Sequence, residues 1–334
     1  MSMTNEIFKV LDAGYVTLVD HMGDDLTPLE AARMSTGNET GLDKTKDDNL
    51  RDRLWRDKHS SPFEMNVACF EMQVPLFVLR QIDRHRTISI DAGEVYENYD
   101  DFRKFTSRNE FSGRYSVMPD LYYIPDLERI QPQSKKNKQG SDGEMDEKVR
   151  TELRLVVQEA TNKGRAGYDF LVKEGLANEL ARMVLPQNQY TKIRIQASMS
   201  NWFKFLAERL PTAAQWETRQ YAKVIGRELR RIWPLCWQVF ESNTLYARTY
   251  TSHERAALIL ALEALAAGQA KRYPQRVFMP GHGDDTNEPK REEPRDVVVG
   301  TVGKLYKQMG FNDAAVERLV QKLWPQLDET DLLT

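Results

Sequence analysis

Arg84-His85-Arg86 and, beyond a gap, Asn109-Glu110-Phe111-Ser112-Gly113-Arg114-Tyr115 hold the residue types in this chain best suited to chemistry. Arginine presents a planar fork of donors that grips phosphate in two places, and glycine lets backbone N–H groups approach an anion closely. A carboxylate, a hydroxyl and an imidazole beside them suit a phosphorylated, polarisable heterocycle better than a core. Read alone, Arg-His-Arg is also a helix end whose cations offset the negative end of the dipole. Asp91–Arg108 separates the two halves. It is acidic first and basic last, with Tyr96, Tyr99, Phe102 and Phe105 at three-residue spacing, and reads as a packed helical excursion. A lid or subunit-interface element beside the site is the sharper alternative.

Cys69 and Cys236 are the only cysteines. They offer neither a disulfide framework nor zinc spacing, and both sit in apolar patterns that read as small buried hydrophobes rather than thiolates. Met279–Asp285, rich in glycine and acid, reads as a plain turn, so no metal site is expected.

The elements that must position these residues follow from periodicity. Ile7–Leu11 and Tyr15–Val19 read as strands around Ala13-Gly14. Thr27-Pro28-Leu29-Glu30 reads as a capping box opening a helix toward Met34. Asp47–Lys58 is a charged amphipathic helix, and Asn66–Val74 alternates as a strand with Ala68, Phe70, Met72 and Val74 on one face. Pro75 ends it and starts a helix that delivers Arg84. Residues 131–146 form a polar stretch without periodicity, read as an exposed mobile loop. A long helix from Glu147 is stopped by Gly175, a shorter one spans Asn178–Val184, Tyr190–Ala197 is a strand, and Asn201–Leu210 and Gln215–Trp233 are helices. Strands early and helices late make the chain α+β.

With 334 residues and 40% hydrophobic content, one large domain or two smaller ones can be built. A net charge of −3 gives no global basic field, so nucleic acid is not the expected partner. The N-terminus has no basic run followed by an apolar one, and no stretch approaches about 18 uninterrupted apolar residues. No membrane association is expected, and a cytoplasmic location is the default.

Five segments in order resemble the flavin-dependent thymidylate synthases. His59-Ser60-Ser61-Pro62-Phe63-Glu64 is similar to the family's H-x-[ST]-P-F-E, and Pro75–Gln81 to the apolar helix before its Arg-His-Arg. Asn109–Tyr115 is similar to the second half of that signature. Ala181-Arg182-Met183-Val184-Leu185-Pro186 resembles its A-R-x-x-L-P turn, and Arg209 stands before Gln215-Trp216-Glu217 as an arginine does before the family's Q-W-E. The resemblance implies a central, mostly antiparallel sheet with flanking long helices. It also implies reductive methylation of dUMP to dTMP, with methylenetetrahydrofolate as one-carbon donor and NADPH as reductant through FAD. The absence of a reactive cysteine agrees with a redox cofactor.

Carried onto this sequence, the resemblance implies that Gln81, Arg84, Glu110, Phe111, Ser112, Gly113, Arg114 and Arg182 bind dUMP. Arg209 would face the uracil and favour its N3-deprotonated, enolate-like form, which makes it the catalytic candidate. His59, Ser61, Arg84, His85, Arg86 and Glu110 would contact FAD. Ser198 and Lys204, which stand where many relatives carry flavin-contacting asparagines, join that set. A homotetramer with sites where subunits meet is implied as well. The catalytic domain is expected over residues 1–249, followed by a helical extension, residues 250–334, without a counterpart in the compact family pattern. Two rival functions stand: a flavin- and folate-dependent hydroxymethylase of dUMP or dCMP, and a non-enzymatic nucleotide- or nucleic-acid-binding protein.

Overall fold

The computed structural model describes residues 6–85, 88, 107–135, 138–255 and 258. Its first compact unit runs to Tyr246, and a second begins at Ala247.

Five antiparallel strands form the frame of the first unit: β1 (Phe8–Val10), β2 (Gly14–Met22), β3 (Val67–Pro75), β4 (Ser107–Glu110) and β5 (Tyr190–Ser198), in the spatial order β1-β2-β3-β5-β4. Alternation decides which face is dry. Ala68, Phe70, Met72 and Val74 of β3 and Ile193, Ile195 and Ala197 of β5 are all buried. Lys192, Arg194 and Gln196 point to water, and Arg194 reaches across the sheet to Glu71 at 2.5 Å. Helices α6 (Met199–Arg209) and α7 (Trp216–Ile232) bring Trp202, Phe205, Leu206, Tyr221, Ile225 and Leu229 into the same core. Trp202 packs edge-on against Phe70, with ring centroids 5.1 Å apart, and its indole N–H donates to the carbonyl of Ala68. Helix α8 (Pro234–Phe240) closes one end of the core, its first turn capped by the Asp25 carboxylate, which accepts from the N–H groups of Leu235 and Cys236.

The remaining helices are α1 (Thr27–Arg33), α2 (Lys44–Arg56), α3 (Leu76–Ile82), α4 (Glu147–Lys173) and α5 (Asn178–Ala181). The expected capping box at Thr27 is absent. Asp24 does the capping instead: its Oδ1 accepts from the N–H groups of Leu26 and Thr27 and from the Thr27 hydroxyl, and Glu30 makes no reciprocal bond. A true reciprocal box forms in the second unit, where Thr251 Oγ1 accepts from Glu254 N and Glu254 Oε2 from Thr251 N, so helical structure there starts ahead of Glu254. Helix α4 begins at the Asp146 cap and ends before Gly175, whose φ of 82° lets the chain turn away.

Two other expectations change. Ser107 and Arg108, assigned to the insert, already belong to edge strand β4, paired with β5 as Ser107↔Gln196 and Arg108↔Ile195. The stretch 131–146 is not simply exposed: Gln133 bridges Ser141, and Ser134 is buried with its hydroxyl on Asp142. Tyr96, Tyr99, Phe102 and Phe105, with Met279–Asp285 and nearly all of the extension, lie outside the described residues.

Candidate active site

Helix α3 leaves the sheet at Pro75, which fixes its start and needs no N–H there. Arg80 and Arg84, one turn apart, come to one side with Gln81 between them. Arg209 arrives in the last turn of α6, and the turn Pro211–Ala214 leads into α7 with Gln215, Trp216 and Arg219 at its start. A short 3-10 helix, Leu127–Arg129, and the turn carrying Gln133 and Ser141 supply the opposite wall. Together these elements enclose a cleft of about 1170 Å3. Arg80, Arg84, Arg129, Arg209 and Arg219 line it against two acids, Asp126 and Glu128.

Arg129 is the best-partnered of the five arginines among the described residues. Its Nε and Nη2 donate to the Glu217 carboxylate at 2.6 and 3.2 Å, and its Nη1 donates to Ser141 Oγ at 2.7 Å. Glu217 is buried and also accepts from Gln215 Nε2 at 2.9 Å. The Gln215 carbonyl then accepts from the Gln81 amide, whose own carbonyl accepts from Thr218 Oγ1 at 3.2 Å. Since an ionised carboxylate only accepts, Glu217 fixes the orientation of both amides in turn.

Arg209 differs from Arg129. Its Nε is buried without a hydrogen-bond partner among the described residues, and its guanidinium makes a 3.5 Å bond to the neighbouring Glu208 carbonyl. Burial pulls its pKa below the ordinary arginine value, opposed by Glu208. His85 lies close by and is buried. Burial first, and the Arg209 charge second, push its pKa down to about 4 against the pull of Glu208. The imidazole is therefore neutral at pH 7, and the 3.7 Å approach of Nε2 to Glu208 is neither a hydrogen bond nor an ion pair. Its ring packs edge-on against Phe205.

The second group of predicted nucleotide residues assembles elsewhere on the chain. Phe111 extends the pairing of β4, its N–H donating to the Lys192 carbonyl, and Ser112 turns the chain by accepting from Tyr115 N and from Arg114 N. Gly113 is needed for space: a Cβ there would stand 2.8 Å from Met118 Sδ and 3.4 Å from Arg182 Cδ. That contact seats Ser112, Gly113 and Arg114 against Arg182, with Arg114 loosely paired to Glu179 at 3.4 Å. Glu110, beside them, accepts from Arg108 Nη2 at 2.9 Å and from Thr191 Oγ1 at 3.2 Å. None of these residues lines the cleft that holds Gln81, Arg84 and Arg209.

His59 and Ser61 are exposed, His59 just before and Ser61 at the start of the 3-10 helix Ser61–Glu64 that packs on α6, which also carries exposed Lys204. Arg86 lies outside the described residues. Ser198 is 1% exposed, and its hydroxyl caps α6 by accepting from Asn201 N. Arg80, Arg129 and Arg219 escaped the sequence reading. Arg219 could have been found from Gln215-Trp216-Glu217, because a residue three beyond Trp216 shares its helix face, whereas nothing local marked Arg129. Cys236 is buried as its pattern indicated, whereas Cys69 is only half-buried, on the β3 face opposite Ala68 and Phe70; burial raises the pKa of Cys69 and holds that of Cys236 well above the ordinary value.

The family model for the thymidylate synthase complementing protein matches residues 17–235. A flavin-dependent thymidylate synthase of Thermus thermophilus is 39% identical over 284 residues, covering 81% of this chain and 96% of its own. One of Treponema denticola is 36% identical over 252 residues, covering 75% and 88%. A crystal structure of the UMP/dUMP methylase PolB from Streptomyces cacaoi, bound with 5-Br UMP, superposes with a TM-score of 0.59 at 25% identity, covering 72% of this chain and 98% of that one.

Proposed function

The chain belongs to the family of thymidylate synthase complementing proteins, and on that premise we propose that it is an enzyme that methylates dUMP to dTMP, with methylenetetrahydrofolate as one-carbon donor and NADPH as reductant. The observation that carries the reading is Arg209. A half-buried guanidinium with an orphaned Nε, held on a cleft wall and destabilised by burial, is completed by an anion or a polarised carbonyl. A uracil turned toward it gains most when charge builds on its oxygen, which is the electronic state that makes C5 nucleophilic. Neutral His85 beside Arg209 adds no competing cation and leaves that charge undiluted.

The donor set also fits a flavin dinucleotide. Arg84 and Lys204 are exposed cations suited to a pyrophosphate, and Ser61 and His59 offer polar contacts on the 3-10 helix packed beside α6. FAD, when bound, would carry the two electrons needed to turn a transferred methylene-level carbon into a methyl group. Ser112, Gly113, Arg114 and Arg182 form the phosphate clamp, in which Gly113 permits the close approach.

Because clamp and cleft are separate in one protomer, the complete site is assembled between copies in a homotetramer. Exposed Val149, Leu153 and Val156, spaced at i, i+4 and i+7 on the long helix α4, support association through an apolar stripe. Purified protein should be yellow with flavin absorbance and should convert dUMP, but not dCMP, to a methylated product. Arg209→Ala should retain the flavin and lose turnover by about 100-fold to 1000-fold, the usual cost of removing one oxyanion partner. Full activity in that variant would show that the cleft is not the reaction centre.

A further inference from the structure

Arg219 is the second guanidinium on the cleft whose Nε is buried without a hydrogen-bond partner among the described residues. Its surroundings differ from those of Arg209. Burial, then the charge of Arg129, lower its pKa, and the Glu217 carboxylate that would offset both is already engaged by Arg129 and Gln215. Of these two cations only Arg129 is paired to Glu217. Arg209 and Arg219 are thus two cleft guanidinium groups whose Nε has no hydrogen-bond partner among the described residues. Trp216, at i−3 from Arg219 on the same helix face, also lines the cleft and is 39% exposed. Arg129 lies over the Trp216 ring, 5.7 Å from its centroid, and this partly exposed indole one turn from an orphaned guanidinium suits one chemistry, a planar aromatic ring carrying a carboxylate or phosphate.

We propose that Trp216 and Arg219 form a second-substrate subsite, in which the ring of the one-carbon donor's aminobenzoyl group lies along Trp216 and its glutamate carboxylate is gripped by Arg219. The assignment rests on the methyl-transfer reading above, which requires a second ligand in the cleft besides the nucleotide. The nicotinamide dinucleotide has the same shared chemistry, with phosphate in place of carboxylate, and the test separates the two.

Equilibrium dialysis on the full chain should compare dUMP, NADPH, tetrahydrofolate and its triglutamate against wild type, Arg219→Gln, Arg219→Lys and Trp216→Leu. Arg219→Gln should weaken the triglutamate about tenfold or more, the usual worth of a charge-assisted bond, with dUMP affinity within about twofold of wild type. Arg219→Lys should recover part of the loss, because it keeps the charge but not the fork. Trp216→Leu should weaken both folates equally. Unchanged folate binding in Arg219→Gln, with dUMP still bound, overturns the subsite and leaves the methyl-transfer reading standing. A loss confined to NADPH also overturns it, by making the anion a phosphate. Failure of wild-type protein to bind dUMP would instead sink the parent reading. Parallel elution volumes and circular dichroism decide whether a loss in Arg219→Gln reflects misfolding, and a folded Arg219→Lys with wild-type nucleotide affinity keeps the comparison decisive.

Discussion

Replacing Glu217 with glutamine removes one charge and almost no volume, and its cost can be worked from the contacts. The carboxylate is 4% exposed and takes donors from Arg129 twice, from Gln215, and from the Tyr123 hydroxyl at 3.4 Å. An amide keeps one acceptor oxygen, and its NH2 group must face a donor. Arg129, 23% exposed, turns partly to water and recovers some solvation. Breaking a buried ion pair on one side costs roughly 3–5 kcal/mol, and this partial escape places the cost at the low end, about 3 kcal/mol. For a unit of this size that is a fall in Tm of about 6–12 °C. Urea and thermal unfolding followed by circular dichroism, at fixed protein concentration, would read it. Arg129→Met combined with Glu217→Gln should lose less than the sum of the singles, with a coupling of about 2 kcal/mol. The KM for dUMP should also rise in Glu217→Gln, because the Gln215 and Gln81 amides lose the acceptor that orients them. A single-mutant loss below about 1 kcal/mol, or additive doubles, would refute the picture of a desolvated pair organising the cleft wall.

His85 stays neutral down to about pH 4 in the folded chain, whereas unfolded chain protonates near 6.5, so its contribution is complete above 6.5 and is lost as pH falls toward 4. The total is on the order of 3 kcal/mol, and urea midpoints of wild type should fall more steeply over that window than those of His85→Asn; parallel slopes would contradict it. Gly14→Ala should cost about 2 kcal/mol or more, since its Cβ would lie 2.1 Å from the Tyr221 hydroxyl and 2.6 Å from the Val10 carbonyl, and an undiminished Tm would show that Tyr221 has room to move. Cys69→Ala with Cys236→Ala should keep kcat within about twofold at a temperature where the double variant is folded, and a large loss would restore a cysteine mechanism.

The sequence was most legible where one physical signal dominated. Strict alternation from Val67 to Val74 had a single dry face to choose, and Gly175 was the one residue able to take a positive φ after a long helix. It was least legible where two residues compete for one role. Thr27 looked like a cap, but Asp24 stands three residues earlier with a stronger acceptor and takes the orphan N–H groups. Ser198 aligned with a ligand position, and its capping bond from Asn201 N, set by its place at the strand-to-helix junction, was not read from the sequence. The cleft arginines split the same way. Arg84 and Arg209 stood in recognisable segments, whereas Arg129 is brought in only by the fold, through a carboxylate far along the chain.

Arg108 joins Asp83 and Glu110, so the ends of the segment that divides the arginine motif are tied together. Ile88, fully buried, anchors one end, and the β4–β5 ladder anchors the other. The two halves of the arginine motif are therefore held in place by contacts of their own flanks, through Arg108 and the β4–β5 ladder.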